Sequence, residues 1–159
     1  MAAEWADAGR AASSNGDYLK YALSWPDVYR EPQVTDSGAW YARHDDSGNE
    51  WIEVVWNIPV TTDCIIVVEA GQSGAIVAVD EIEDIRVNSL TAKKYVRLWE
   101  GRLRPAKGAR FALFQLDEAR SLEGIRLVLD TALVPGRNRI DGVGLRQSFA
   151  PRINSIPHP

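Results

Sequence analysis

Residues 127–145 read LVLDTALVPGRNRIDGVGL, and this stretch decides how the chain folds. Ile125, Leu127 and Leu129 alternate with Arg126 and Asp130, the two-residue period of a strand that buries one face. Val134-Pro135-Gly136 is a turn, because proline presets the backbone and glycine tolerates the sharp reversal. A second strand starts at Arg139, and in it Asp141, Val143 and Leu145 share a face. If the two aliphatics point to the core, an acid points inward with them. A buried carboxylate must be paired, hydrogen-bonded or metal-bound, so the rest of the chain has to supply a partner for Asp141.

The same period recurs outward from this stretch. In Trp51 to Asn57, Ile52, Val54 and Trp56 alternate with Trp51, Glu53 and Val55. Asp63 to Ala70 is apolar on both faces and reads as a central strand. Ala39 to Arg43, Ala75 to Ile82, Tyr95 to Glu100, Arg110 to Leu116, Gly124 to Asp130 and Arg139 to Arg146 complete a set of about eight short strands. Glu4 to Ser14 reads as an irregular opening segment. Asp17 to Leu23 allows one helical turn at most, ended at Trp25-Pro26 because the residue before proline avoids the helical region. Residues 27–38 form a loop, 44–49 a polar turn, 83–94 an extended hairpin or loop, and 102–108, RLRPAKG, a basic loop. Short strands with turn signals between them and almost no amphipathic helix predict an all-β, eight-stranded antiparallel, jelly-roll-like sandwich.

The 159 residues fit one domain, expected over 1–147, followed by a proline-containing C-terminal tail, 148–159. Hydrophobic residues make up 45% and charged residues 25%, ordinary values for a globular protein. The net charge of −4 argues against nucleic acid as a partner, and no apolar run is long enough to span a membrane. The only cysteine, Cys64, lies in the apolar run CIIVV and reads as a buried structural thiol. No signal-peptide pattern opens the chain, which fits a cytoplasmic protein or a mature secreted or periplasmic one.

Several segments in order resemble a known family. EWADAGRAASS (4–14), YALSWPDVYR (21–30), TDSGAW (35–40), EWIEVVW (50–56), Glu69 through Gly74-Ala75 to Val77, RLWEG (97–101) and LDTALVPGRNRIDGV (129–143) are similar to the discoidin-like, galactose-binding-like β-sandwich domain. That domain occurs in pappalysin, as its scarf-like domain, and in many bacterial surface proteins. The likeness covers about residues 5 to 147. It departs from the family pattern at Ser24-Trp25, at AGQS (70–73) and over 83–94, all expected loop positions, where ligand specificity lies.

The resemblance implies a structural Ca²⁺ near one end of the sandwich, with Asp27, Asp36 and Asp141 as its candidate ligands. The alternative is that Asp141 accepts backbone hydrogen bonds or pairs with an arginine, while Asp27 and Asp36 cap turns. No other cofactor is required. Among the six tryptophans, Trp40, Trp56 and Trp99 sit in alternating strands and read as core, whereas Trp25 and Tyr29 share a loop and are the candidate exposed aromatic pair. Arg30 stands beside them. The cations between Lys93 and Arg110, with Arg102, Arg104 and Lys107 at their centre, either meet an anionic partner or balance the acids Asp80, Glu81, Glu83 and Asp84.

Catalysis has no sequence support. Two histidines, His44 and His158, lie in a turn and in the tail, and no nucleophile elbow, phosphate loop, dinucleotide fingerprint or metal-ligand histidine pair occurs. The expected function is a non-catalytic recognition or assembly subunit that binds another protein through its loops and C-terminal tail. The alternative is a carbohydrate-binding module that uses Trp25 and Tyr29.

Overall fold

A computed structural model describes residues 3–14 and 39–148. Among these residues there are nine strands: β1 (Ala3–Trp5), β2 (Ala8–Ala11), β3 (Trp40–Tyr41), β4 (Asn49–Ser73), β5 (Ile76–Val87), β6 (Leu90–Glu100), β7 (Ala106–Lys107), β8 (Arg110–Asp130) and β9 (Asn138–Gln147). All pairings are antiparallel, in the order β1-β9-β4-β8-β5-β6, with β2 and β7 added to β4 and β3 added to β9.

Two strands pass through both halves of this curled sheet. The segments 51–57 and 63–70, read from sequence as separate strands, are one strand, β4; 110–116 and 124–130 are likewise one strand, β8. Their pairing is interrupted between Val55 and Val60 and again between Thr62 and Cys64. Pro59, which has no N–H to give a ladder, falls inside the first break. The sheet bends there and folds back on itself. Ile52, Val54, Ile125 and Leu127 from one half then meet Ile65, Val67, Phe114 and Leu145 from the other in a single core. Trp99 packs edge-on against Phe114, with centroids 4.8 Å apart and planes at 65°.

Trp40 and Trp56 are buried as expected, whereas Trp99 is partly buried against the core. Cys64 is buried, and burial pushes its thiol pKa up. The opening segment is not irregular: Ala3–Trp5 pairs with β9, and Ala8–Ala11 pairs with β4 opposite Ile52–Val55. Residues 83–94 form the far part of a regular hairpin that turns at Asn88-Ser89, both at positive φ. The basic loop contains β7, whose Ala106 and Lys107 pair with Ser73 and Gln72.

The deciding stretch departs from its sequence reading in two ways. Its strands do not pair with each other: β8 lies between β4 and β5, whereas β9 lies on the other side of β4, so the turn at 131–137 is a crossover between sheet halves. The register across β4 also skips one residue, with Gly142 opposite Val68 and Ile140 opposite Glu69. Asp141 is therefore the extra residue of a β-bulge. The bulge changes the facing parity and lets both Ile140 and Val143 enter the core, although they are three positions apart.

Candidate functional site

Both ends of β4, both ends of β8 and the start of β9 meet at one end of the sandwich. Asn49 lies opposite Asp130, Glu69 opposite Arg110, and Gly71 opposite Asn138. The loops 42–48, 101–109 and 131–137 all leave from this end. Ser14, which precedes residues 15–38, lies at this end too. Ser13 is fixed there, since its hydroxyl donates to Glu50 Oε1 at 2.8 Å and its carbonyl accepts the Trp40 indole N–H at 3.0 Å. The opposite end carries the bends of β4 and β8 and the termini of the described sheet.

Side chains and backbone lock the loops to one another. Gly136 N–H donates to Asp46 Oδ1 at 2.8 Å, and Gly48 N–H donates to Thr131 Oγ1 at 3.0 Å. Asn138 Nδ2 donates to the carbonyls of Gln72 and Val134. Gly71 sits at φ +70°, and a Cβ there would lie 2.6 Å from the Arg137 carbonyl, so only glycine fits this approach. On this frame the Arg137 guanidinium lies 4.5 Å from the centre of the Tyr41 ring and that of Arg139 lies 5.3 Å from it. Arg137 also reaches the Asp45 carboxylate at 3.3 and 3.4 Å. Tyr41 and Arg139 are buried, so the exposed groups here are the Arg137 guanidinium and the Asp45 and Asp46 carboxylates, which can donate to and accept from a polyhydroxylated ligand.

The structure separates the cations that the sequence groups together. Lys93 donates to Glu53, Lys94 pairs with Glu83, Arg97 with Asp80 and Glu100, and Arg110 with Glu69. These ion pairs realise the local charge balance for Asp80 and Glu83. Arg102, Arg104 and Lys107 are exposed in the loop beside Gly71–Gly74, and none of them has an acidic partner among the described residues. Trp25, Tyr29 and Arg30 lie outside the described residues, as do Asp27 and Asp36 and the tail beyond Ser148. Ser148 N–H donates to the Thr61 carbonyl, at the end of the sandwich opposite the loops. Asp141 is 3% exposed and does not lack a partner. The described residues contain no group of three His, Cys, Asp or Glu arranged to hold a metal ion.

A second polar cluster lies on the outer face of the sheet, opposite the core. Glu53 is buried and accepts from Arg10 at 2.5 Å, Tyr95 at 2.5 Å, Lys93 at 3.2 Å and Arg126 at 2.6 and 3.0 Å. Burial pushes its pKa up, but the donors from Arg10, Tyr95, Arg126 and Lys93 prevail and hold it at about 2. The Trp51 ring lies between Arg10 and Arg126, and Arg126 also covers Tyr95. A carboxylate with every lone pair engaged and a pKa near 2 neither gives nor takes protons at working pH. The cluster is a clasp and not acid–base machinery. His44 stands exposed in the 43–48 turn.

Sequence reasoning missed Tyr41, Arg137 and Arg139. The pattern Pro-Gly-Arg-Asn-Arg shows a turn followed by alternating cations, but that Tyr41 lies beneath them follows only from the pairing of β3 with β9, Tyr41 opposite Arg139.

No protein-family model and no curated protein matches this chain. Solved structures do. The family 32 carbohydrate-binding module of AlyQ, in complex with 4,5-unsaturated mannuronic acid, aligns over 93% of this chain and 100% of its own, with a TM-score of 0.60 and 13% identity. The family 32 module of Clostridium perfringens NanJ, in complex with galactose, aligns over 87% and 91%, with a TM-score of 0.56 and 15% identity. A Ruminococcus gnavus GH29 fucosidase in complex with fucose aligns over 89% of this chain at a TM-score of 0.56 and 14% identity, and the chain spans 25% of that enzyme's length. The fold is a discoidin-like, galactose-binding-like β-sandwich, the architecture of carbohydrate-binding modules.

Proposed function

We propose that this domain is a non-catalytic carbohydrate-binding module that takes a glycan at the loop end of the sandwich. The observation that carries this reading is structural similarity, over 93% and 87% of this chain, to family 32 modules solved with sugars bound. The end where the loops converge adds support, because it presents the exposed guanidinium of Arg137, packed over the buried Tyr41, together with the exposed Arg102, Arg104 and Lys107. Trp25 and Tyr29, the aromatic pair that the sequence offers, lie outside the described residues and are tested by substitution at Trp25. A glycan array followed by calorimetry tests this. Binding to a defined sugar that drops at least tenfold in both Arg137→Ala and Trp25→Ala supports it, and a silent array removes it.

The second reading is a recognition subunit for another protein. It draws on the same three cations, which suit an acidic protein face as well as an acidic sugar. A co-purifying partner lost in the triple variant Arg102→Ala, Arg104→Ala, Lys107→Ala, together with a silent glycan array, favours it.

A further inference from the structure

We propose that a groove on the outer face of the sheet, beside the loop end, holds a further sugar residue, so that the domain takes an oligosaccharide chain and not a lone terminal sugar. This rests on the glycan reading above and extends it from the loop end onto the sheet.

A bulge in β5 makes the groove. Ile76 and Ala78 stand opposite Leu129 and Val128 of β8, which leaves Val77 as an extra residue. Ile76 and Val79 therefore both enter the core although they are three positions apart, and the two residues between them, Val77 and Ala78, line the groove outside. The Val77 carbonyl accepts the Gly101 N–H at 3.0 Å, which ties the end of β6 to the bulge and places Glu100 beside it. The groove has a volume of about 480 Å³, within the range of small-molecule sites. Val77, Ala78, Val128 and Leu133 give it an apolar lining, and the carboxylates of Glu100 and Asp130 stand along it. A sugar ring has apolar C–H faces and a rim of hydroxyl donors, and it fits an apolar surface edged by acceptors. Arg97, which also lines the groove, is bound to Asp80 and Glu100 and so steadies Glu100. Arg102 is exposed at the same wall, where it adds an ion pair if the sugar is acidic.

Continuity with the loop end selects the occupant. Asp130 precedes the crossover 131–137, and Arg137 ends it. The first turn of this loop is fixed, because Leu133 N–H donates to the Asp130 carbonyl and Ala132 N–H donates to Asp130 Oδ1, both at 3.2 Å. Its far part is fixed by Gly136 N–H on Asp46. One held loop thus carries Leu133 at the groove and Arg137 at the loop end. A sugar chain laid along that loop meets both, and the second contact needs no rearrangement of the protein, so its binding energy is not spent on ordering.

The test is a glycan array carrying each sugar both as a monosaccharide and as a trisaccharide, with galactose, fucose and mannuronic acid among them, followed by calorimetry and NMR titration of the full chain. The trisaccharide of the binding series is expected to bind about tenfold more tightly than its monosaccharide. It is expected to shift the amide signals of Val77, Ala78, Val128 and Leu133, which the monosaccharide leaves in place. Glu100→Ala, at an exposed position, is expected to remove most of the gain at an unchanged melting temperature, while the monosaccharide, which does not reach Glu100, binds as before. A trisaccharide that binds no more tightly than its monosaccharide overturns the proposal and leaves the glycan reading standing, as do trisaccharide shifts that spare the groove. An array on which no sugar binds removes both.

Discussion

Tyr95 donates its hydroxyl to Glu53 Oε1 at 2.5 Å, joining β6 to β4 across the outer face of the sheet. Neither strand pairs with the other. The β5–β6 hairpin, joined to the sheet through the pairing of β5 with β8, is thus also tied to β4 by side chains, with Lys93 and Tyr95 from β6 meeting Arg10 and Arg126 at one carboxylate.

Removing that carboxylate charge leaves three cations around a neutral group. Glu53→Gln is expected to cost about 3 kcal/mol of unfolding free energy, measured by urea denaturation at neutral pH.

Acid has a related effect. The folded pKa of Glu53, about 2, lies below its ordinary value of 4.5. A depressed carboxylate contributes its full stabilisation above the unfolded value and loses it as pH falls toward the folded one. The wild-type melting temperature is expected to fall more steeply than that of Glu53→Gln between about pH 5 and pH 2. Parallel curves would remove Glu53 from the acid response.

Gly71 couples the fold to the loop end. Alanine there would take up a positive φ and press against the Arg137 carbonyl. Gly71→Ala is expected to destabilise by about 2 kcal/mol and to weaken glycan binding through displacement of the 131–137 loop. Calorimetry on the folded variant separates the two effects.

On the proposed glycan reading, the basic loop is expected to contribute to binding and not to folding. The triple variant Arg102→Ala, Arg104→Ala, Lys107→Ala is expected to unfold within about 0.5 kcal/mol of wild type. Its affinity for an acidic oligosaccharide is expected to fall severalfold while that for a neutral one holds. Added salt should narrow the gap between wild type and variant for the acidic sugar.

The site was less legible in the sequence than the fold. Alternation placed Ile52, Val54 and Trp56 on the core face, and continuous apolarity placed Cys64 to Val68 in a central strand, because burial is written locally, residue by residue. The bend that fuses two segments into β4 left only the weak mark of Pro59, since a register break is a property of a pair of strands.

The sequence by itself determined the strand periods, the inward position of Asp141, the turn at Pro135-Gly136 and the ordered set of segments that pointed to a galactose-binding-like sandwich. Tertiary structure alone decided that β8 and β9 lie on opposite sides of β4, that Asp141 is the extra residue of a bulge, and that Tyr41 lies beneath Arg137 and Arg139. It alone brought donors 40 to 73 residues away to Glu53. Periodicity reports which side of a strand meets the core. Which strands stand side by side depends on contacts between distant residues, and no local pattern encodes them.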